Sequence, residues 1–291
     1  MQVLQLLLNG IAQGCVYALV ALGFVLIYKA TETVSFVQGE LMMVGGFVAL
    51  IAMGPFAMPF WLAFVFALTG TAALGYGMER FLLRPLLGQP AFTLVLMTLA
   101  VGMVLRGLVM MIPGIGIETH VLEAPWREAM LDWGGLHLNA DRLVVMLSTA
   151  LLALLLFLGF RFTRIGIAMQ AASMNQIAAH YVGIPVERLN ALVWGLSGGV
   201  AALAGVLLAP MTFVHVGMGF VGLKALPAAV LGGFTSLPGA FVGGILIGVT
   251  EALAGFYLPE GFKDVAPYVL LLLVLMFMPD GLFGGHGRKK V

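Results

Sequence analysis

Residues 3–28 read VLQLLLNGIAQGCVYALVALGFVLIY. The stretch holds no Asp, Glu, Lys or Arg. As a helix rising about 1.5 Å per residue, it is longer than the ~30 Å hydrocarbon core of a bilayer. It is apolar on every face, so it has no polar stripe to turn toward water. This reading decides the fold, because a helix of this kind belongs in lipid. Residues 1–28 also lack the basic opening of a cleavable signal peptide, so the first helix is expected to stay in the mature chain.

The rest of the chain agrees. Of 291 residues, 62% are hydrophobic and 9% charged, 14 basic and 13 acidic. A soluble domain carries about 25% charged residues, and so few could not coat a water-facing surface. Mean hydropathy is +1.09. A soluble enzyme, a disordered regulator and a nucleic-acid binder are excluded, the last also by a net charge of only +1. A single cysteine, Cys15, excludes an internal disulfide, and five scattered histidines offer no metal constellation. The expected fold is one all-α polytopic transmembrane bundle over residues 1–291, with no cofactor and no catalytic residues.

Apolar stretches predict helices near 3–28, 36–53, 59–83, 91–112, 141–160, 189–210, 218–233, 239–256 and 264–279. Lys224 and Pro227 interrupt the seventh, which reads as a broken or re-entrant helix, so the count is eight or nine spans. Lys29, Arg80, Arg84, Arg161, Arg164, Arg188 and the Arg288–Lys290 tail fall on one side, and the positive-inside rule makes that side cytoplasmic. The amino terminus is then outside and the carboxyl terminus inside.

Two loops exceed connector length. The external loop, 113–140, contains the amphipathic fragment APWREAMLDW and reads as a surface cap or an interfacial anchor. The internal loop, 161–188, is Ala-rich over 166–182 and ends at Pro185. It predicts a short helix across the cytoplasmic face. Its small residues Ala168, Ala171, Ala172, Ala178 and Ala179 would let a partner approach closely. The alternative is an ordinary interfacial helix without a partner.

Four small-xxx-small pairs, Gly10/Gly14, Gly195/Gly199, Gly239/Gly243 and Gly244/Gly248, predict close helix packing. Intramembrane ionisable groups are Glu40, Arg106, Lys224 and Glu251. Glu40 and Glu251 read as lining a polar path or as helix-end groups; Arg106 and Lys224 read as side chains snorkelling to the headgroups. Three motifs are set aside. Gly217–Gly222 spells G-x-G-x-x-G but has no βαβ context, and the same stretch lacks the Lys-Ser/Thr of a phosphate loop. Gly195-Leu196-Ser197-Gly198 resembles a rhomboid protease motif, yet residues 239–279 supply no histidine base.

Several blocks together resemble the shorter permease subunit of branched-chain amino acid ABC importers. They are Asn9-Gly10 with Tyr17–Phe24 and Ile27-Tyr28, Phe36–Glu40, Arg84-Pro85-Leu86, Arg164–Ala171 with Ala178-Ala179 and Gly183-Ile184, and Ala228–Phe234 with Pro238–Ala240 and Gly243-Gly244. The resemblance runs from about Asn9 to Asp280. Gln38, Asn175 and Ser35 stand where the family usually has histidine, aspartate and asparagine.

The resemblance implies that Arg164, Gly166, Ala168, Ala171, Ala172, Asn175, Ala178, Ala179, Gly183 and Ile184 couple to a cytoplasmic ATPase. It adds Tyr17 and Gln38 to Glu40 and Glu251 as path candidates, and Gly232 and Gly233 to the packing glycines. The implied partners are a longer sister permease, two ATPase subunits and an external solute-binding protein, in a bacterial inner membrane. Sister systems that move urea, short amides or small and aromatic carboxylates share this architecture. A self-sufficient secondary transporter is the reading from another class.

Overall fold

The computed structural model describes residues 2–86, 88–127, 129–133, 136–174 and 176–284. Its helices are α1 (Gln2–Thr31), α2 (Gln38–Met53), α3 (Phe60–Met78), α4 (Ala91–Met110), α5 (Ala140–Phe162), α6 (Arg164–Met174), α7 (Gln176–Tyr181), α8 (Val186–Thr212), α9 (Val221–Gly232), α10 (Leu237–Tyr257) and α11 (Phe262–Phe277). A π-helical turn over Glu79–Leu83 extends α3, and a 3-10 turn over Val216–Phe220 precedes α9. Each of the nine apolar stretches has its helix. Six of these helices are long and apolar enough to cross a membrane unaided. Among the described residues, α2 and the Val216–Gly232 segment are shorter apolar helices.

The helices alternate in direction. Gly10 faces Ala252 while Gly248 faces Gly14, so α1 and α10 are antiparallel. Gly75 meets Trp194 while Gly199 meets Leu68, so α3 and α8 are antiparallel too. The two faces of the bundle can be told apart by what they carry. On one, β1 (Met130–Trp133) and β2 (Leu136–Asn139) form an antiparallel hairpin. On the other lie α6 and α7. The last four residues of APWREAMLDW form β1, an element that the sequence reading did not anticipate. Trp126 of that fragment packs on the start of α3, its ring 5.0 Å from Phe60 and 6.0 Å from Trp61.

The 213–233 segment runs from one face to the other in two pieces. Val214 forms a β-bridge with His120 on the hairpin face. At the opposite face, Gly233 adopts φ +92 and sits against Gly281 and Gly284. The segment is therefore a broken span, and the alternation of the nine helices is preserved.

α1 and α8 form the centre; 89% and 83% of their most apolar windows are buried, against 17% for α4 and 22% for α5. The lipid-facing helices therefore carry the exposed leucines and phenylalanines. Glycine permits the tightest approaches. A Cβ at Gly248 would stand 2.2 Å from the Gly14 nitrogen, and one at Gly244 2.5 Å from the Ala18 Cα. Gly232 and Gly239 meet each other across α9 and α10, and Gly243 meets Ala228. Gly195 and Gly199 lie less tightly against α3, where the closest contacts belong instead to Gly75 and Gly198.

Candidate functional site

The stretch 32–37 is not helical, and α2 begins inside the bundle rather than at its edge. Phe36 N–H donates to Thr98 Oγ1 at 3.1 Å, which ties this unwound stretch to α4. Two residues into α2, Glu40 receives a fork from Arg106 of α4. Nε donates to Oε2 at 3.3 Å, and Nη2 donates to Oε1. The guanidinium also stands 4.3 Å from the centre of the Phe220 ring. Gly219 crosses directly over the pair: a Cβ there would come within 2.7–2.8 Å of both charged groups. A cleft of about 230 Å³ opens between Glu40, Gly102, Arg106, Gly219 and Phe220. Arg106 therefore does not snorkel to the headgroups. A partner carboxylate inside the bundle satisfies it at lower cost than a charge alone in lipid.

On the other side of the broken segment is a second cluster. Lys224 Nζ donates to Glu251 Oε1 at 2.8 Å and to Asp264 Oδ1 at 2.6 Å. Tyr17 OH donates to Glu251 Oε2, and Gln13 Nε2 donates to the Tyr17 oxygen at 3.2 Å. One ammonium with two carboxylates thus joins α1, α9, α10 and α11 and leaves one net negative charge. Lys224, like Arg106, is an internal partner rather than a snorkelling end group. The structure brings Tyr17 and Glu251 into direct contact and keeps Glu40 in the separate cleft. Asp264 was not anticipated; its only signal is an acid in the first turn of an apolar helix.

Gln38 belongs to neither cluster. It is fully buried, its Nε2 donating to the Ser197 carbonyl at 3.2 Å. Ser197 Oγ lies 2.9 Å from Gln38 Oε1 and 3.0 Å from the Gly23 carbonyl. This closed clasp ties α1, α2 and α8, so Gln38 does not border either charged cluster. It also gives Ser197 a packing role with no histidine beside it.

On the opposite face, the 161–188 loop is helical over Arg164–Met174 (α6) and Gln176–Tyr181 (α7). Gly166 lies where a Cβ would be 2.5 Å from the Phe160 backbone, and Gln170 Nε2 donates to the Phe160 carbonyl at 2.9 Å. Ala172, Ala179 and Val186 pack together, and Ile184 lies against them. Ala172 and Ala179 therefore face inward toward the start of α8, while Arg164, Ala171, Ala178 and Gly183 face outward and Ala168 and Ile184 are half-buried. Asn175 lies outside the described residues. Ile165, Ile167, Met174, Tyr181 and Val182 add an exposed apolar surface.

A family model described as "Branched-chain amino acid transport system / permease component" matches residues 6–277. The chain belongs to this family. Among its relatives, LivH of Escherichia coli strain K12, a high-affinity branched-chain amino acid transport system permease protein, is 31% identical over 99% of this chain and 97% of LivH. BraD of Pseudomonas aeruginosa, a permease protein of the same description, is 32% identical over 99% of this chain and 98% of BraD. Among solved structures, PsaBC from Streptococcus pneumoniae in complex with Fab superposes with a TM-score of 0.51 at 16% identity, covering 94% of this chain and 92% of that one. That likeness is one of fold. The chain is thus a multi-pass ABC transporter permease of the amino-acid transport type, with relatives that are transport proteins.

Proposed function

We propose that this permease is one membrane-spanning half of an ATP-driven importer for branched-chain or related amino acids. The full-length identity to LivH and BraD is the observation that carries the reading. The α6–α7 face is cytoplasmic on this reading. Lys29, Arg80, Arg84, Arg161, Arg164 and Arg188 all belong to it, as the positive-inside rule requires. The amino terminus is then outside.

The α6–α7 pair is the lever that an ATPase subunit would push. It is short, packed on the end of α5, and carries an exposed apolar surface. Its movement would reach the two charged clusters through α8 and the broken segment, as rigid-body shifts pass through packed helices. A longer sister permease would complete the path, and an external solute-binding protein would deliver the solute. The path-lining candidates on this side of the dimer are Glu40, Arg106 and the Lys224–Glu251 cluster.

The test is uptake of labelled leucine by cells lacking this gene, complemented with the wild-type chain or with Ile167→Asp and Met174→Arg. Both positions point outward, so the substitutions leave the α6–α7 packing intact. Wild type should restore uptake, and the variants should lose both uptake and co-purification of the ATPase. Restored uptake of urea but not leucine would overturn the solute assignment. Full activity of both variants would overturn the lever.

A further inference from the structure

A second cavity, of about 350 Å³, lies at the α6–α7 face between the ends of α1, α3, α4 and α8. This size falls in the roughly 300–1,000 Å³ range of small-molecule sites. Its polar wall includes Thr31, Glu32, Glu79, Gln89, Thr98 and Asn190. It is distinct from the Glu40–Arg106 cleft. Phe36 lines that cleft and Thr98 lines this one, and the Phe36 N–H to Thr98 bond stands between them.

Among the described residues, several groups in this wall lack partners, including the sealed indole N–H of Trp194 and the exposed Gln89 amide; three others supply its acceptors. Asn190 is only 3% exposed, yet its side-chain amide has no hydrogen bond among the described residues. The amide atoms are not among the side-chain atoms sealed from solvent, so what is left open on Asn190 is its amide, toward the cavity. Glu79 is 2% exposed and gives Oε2 to Arg84 at 3.1 Å, while its Oε1 is unpartnered and also unsealed. Glu32 stands exposed at the mouth with φ +53, a left-handed position that favours glycine, and its carboxylate has no protein partner among the described residues. Of the two cations that act on Glu79, Arg84 is already held by Glu79 and Glu187, and Arg80 lies over the Phe81 ring at 6.0 Å. Thr31 Oγ1 donates to the Ile27 carbonyl at 2.9 Å and lies 2.9 Å from Thr33 Oγ1, so neither hydroxyl satisfies these groups.

Three free carboxylate oxygens, one on Glu79 and two on Glu32, and an open amide in a polar, acid-rich cavity call for a donor-rich cation with no bulk around its charge. A carboxylate ligand would meet like charge here. We propose that this cavity binds a small solute through a primary ammonium group, entering from the α6–α7 face. The ammonium sits between Glu32 and Glu79, and the Asn190 carbonyl takes its third hydrogen. Free amines and the ethanolamine headgroup of a lipid share this chemistry.

The experiment is isothermal titration of the full-length chain in phosphatidylcholine nanodiscs. The probes are isoamylamine, which has an ammonium and an apolar tail, and isocaproate, which has a carboxylate instead. Isoamylamine should bind and isocaproate should not. Asn190→Leu should weaken isoamylamine by at least about tenfold, the effect of one charge-assisted hydrogen bond. Glu32→Gly should do the same while keeping the left-handed backbone, so its loss cannot be laid to misfolding. Nanodiscs containing phosphatidylethanolamine distinguish the sources. A raised apparent Kd assigns the site to the lipid headgroup, and an unchanged one assigns it to a free amine. No isoamylamine binding at millimolar concentration, equal binding of isocaproate, or unchanged affinity in both variants would overturn the proposal. It does not rest on the transport reading: cells that lose uptake while isoamylamine still binds, or the reverse, separate the two.

Discussion

The Glu40–Arg106 fork is the interaction whose energy the structure defines best. Its side chains are 14% and 23% exposed, so the pair is mostly but not wholly withdrawn from its surroundings. At an effective dielectric of about 20, unit charges at the 3.3 Å separation of the Nε bond attract by about 5 kcal/mol. Desolvation of both groups offsets much of that gain. Removing one partner strands the other, and a fully buried pair broken this way costs about 3–5 kcal/mol. With the residual exposure here, Arg106→Gln should cost about 2–4 kcal/mol, and Glu40→Gln a similar amount.

The double variant should recover part of the loss, because two neutral amides can bond to each other. The expected coupling is about 1.5–3 kcal/mol, within the range for residues in direct contact. The assay is a double-mutant cycle on unfolding free energy, measured by dodecyl sulfate titration of the purified chain in mixed micelles. Strict additivity, with coupling under about 0.5 kcal/mol, would mean that the two side chains act independently and that the cleft has no fork.

Three further outcomes follow from the packing. Gly248→Val should abolish monodisperse yield in detergent chromatography, because its Cβ would fall on the Gly14 backbone and overpacking of even a methylene costs about 1–3 kcal/mol. Lys224→Met should cost about 2–3 kcal/mol in the same micelle titration, less than a fully buried ion because Asp264 is half exposed; adding Asp264→Asn should return part of it, and no return would count against the cluster. Ser197→Ala should cost about 1–3 kcal/mol by leaving the Gln38 carbonyl oxygen unpaired in a sealed site, with thermal unfolding as the check.

The nine apolar helices were legible because composition alone forces them into lipid, and no soluble arrangement competes. The 218–233 segment was legible as broken but not where: Lys224 and Pro227, read as the interruption, both lie inside the continuous helix α9, and the irregular piece is the Val216–Phe220 turn before it. The glycine pairs at 10/14 and 244/248 announced themselves by spacing and do face each other. Gly75 and Gly205 did not, since each meets a backbone far along the chain with no spaced partner beside it.

The ion pairs were hidden by the same distance. Glu40 and Arg106 are 66 positions apart, and Lys224 and Asp264 are 40 apart, so Arg106 and Lys224, each read alone, looked like helix-end groups. Ala172 and Ala179 were read as an outward surface because composition reveals smallness but not direction. The strand in APWREAMLDW was missed because its pairing partner, Leu136–Asn139, adds a constraint that the fragment by itself does not contain.

The seam between α1 and α10 sets an order of events during synthesis. Once α1 has left the ribosome, it finds its closest neighbour only after Tyr257 has emerged, which at about 5–20 residues per second takes roughly ten to fifty seconds more. Throughout that wait the bare glycine track along Gly10 and Gly14 has nothing of its own chain against it. Lipid or the insertion machinery must shelter it, and the nascent bundle stays an open ring until its late-arriving member closes the gap.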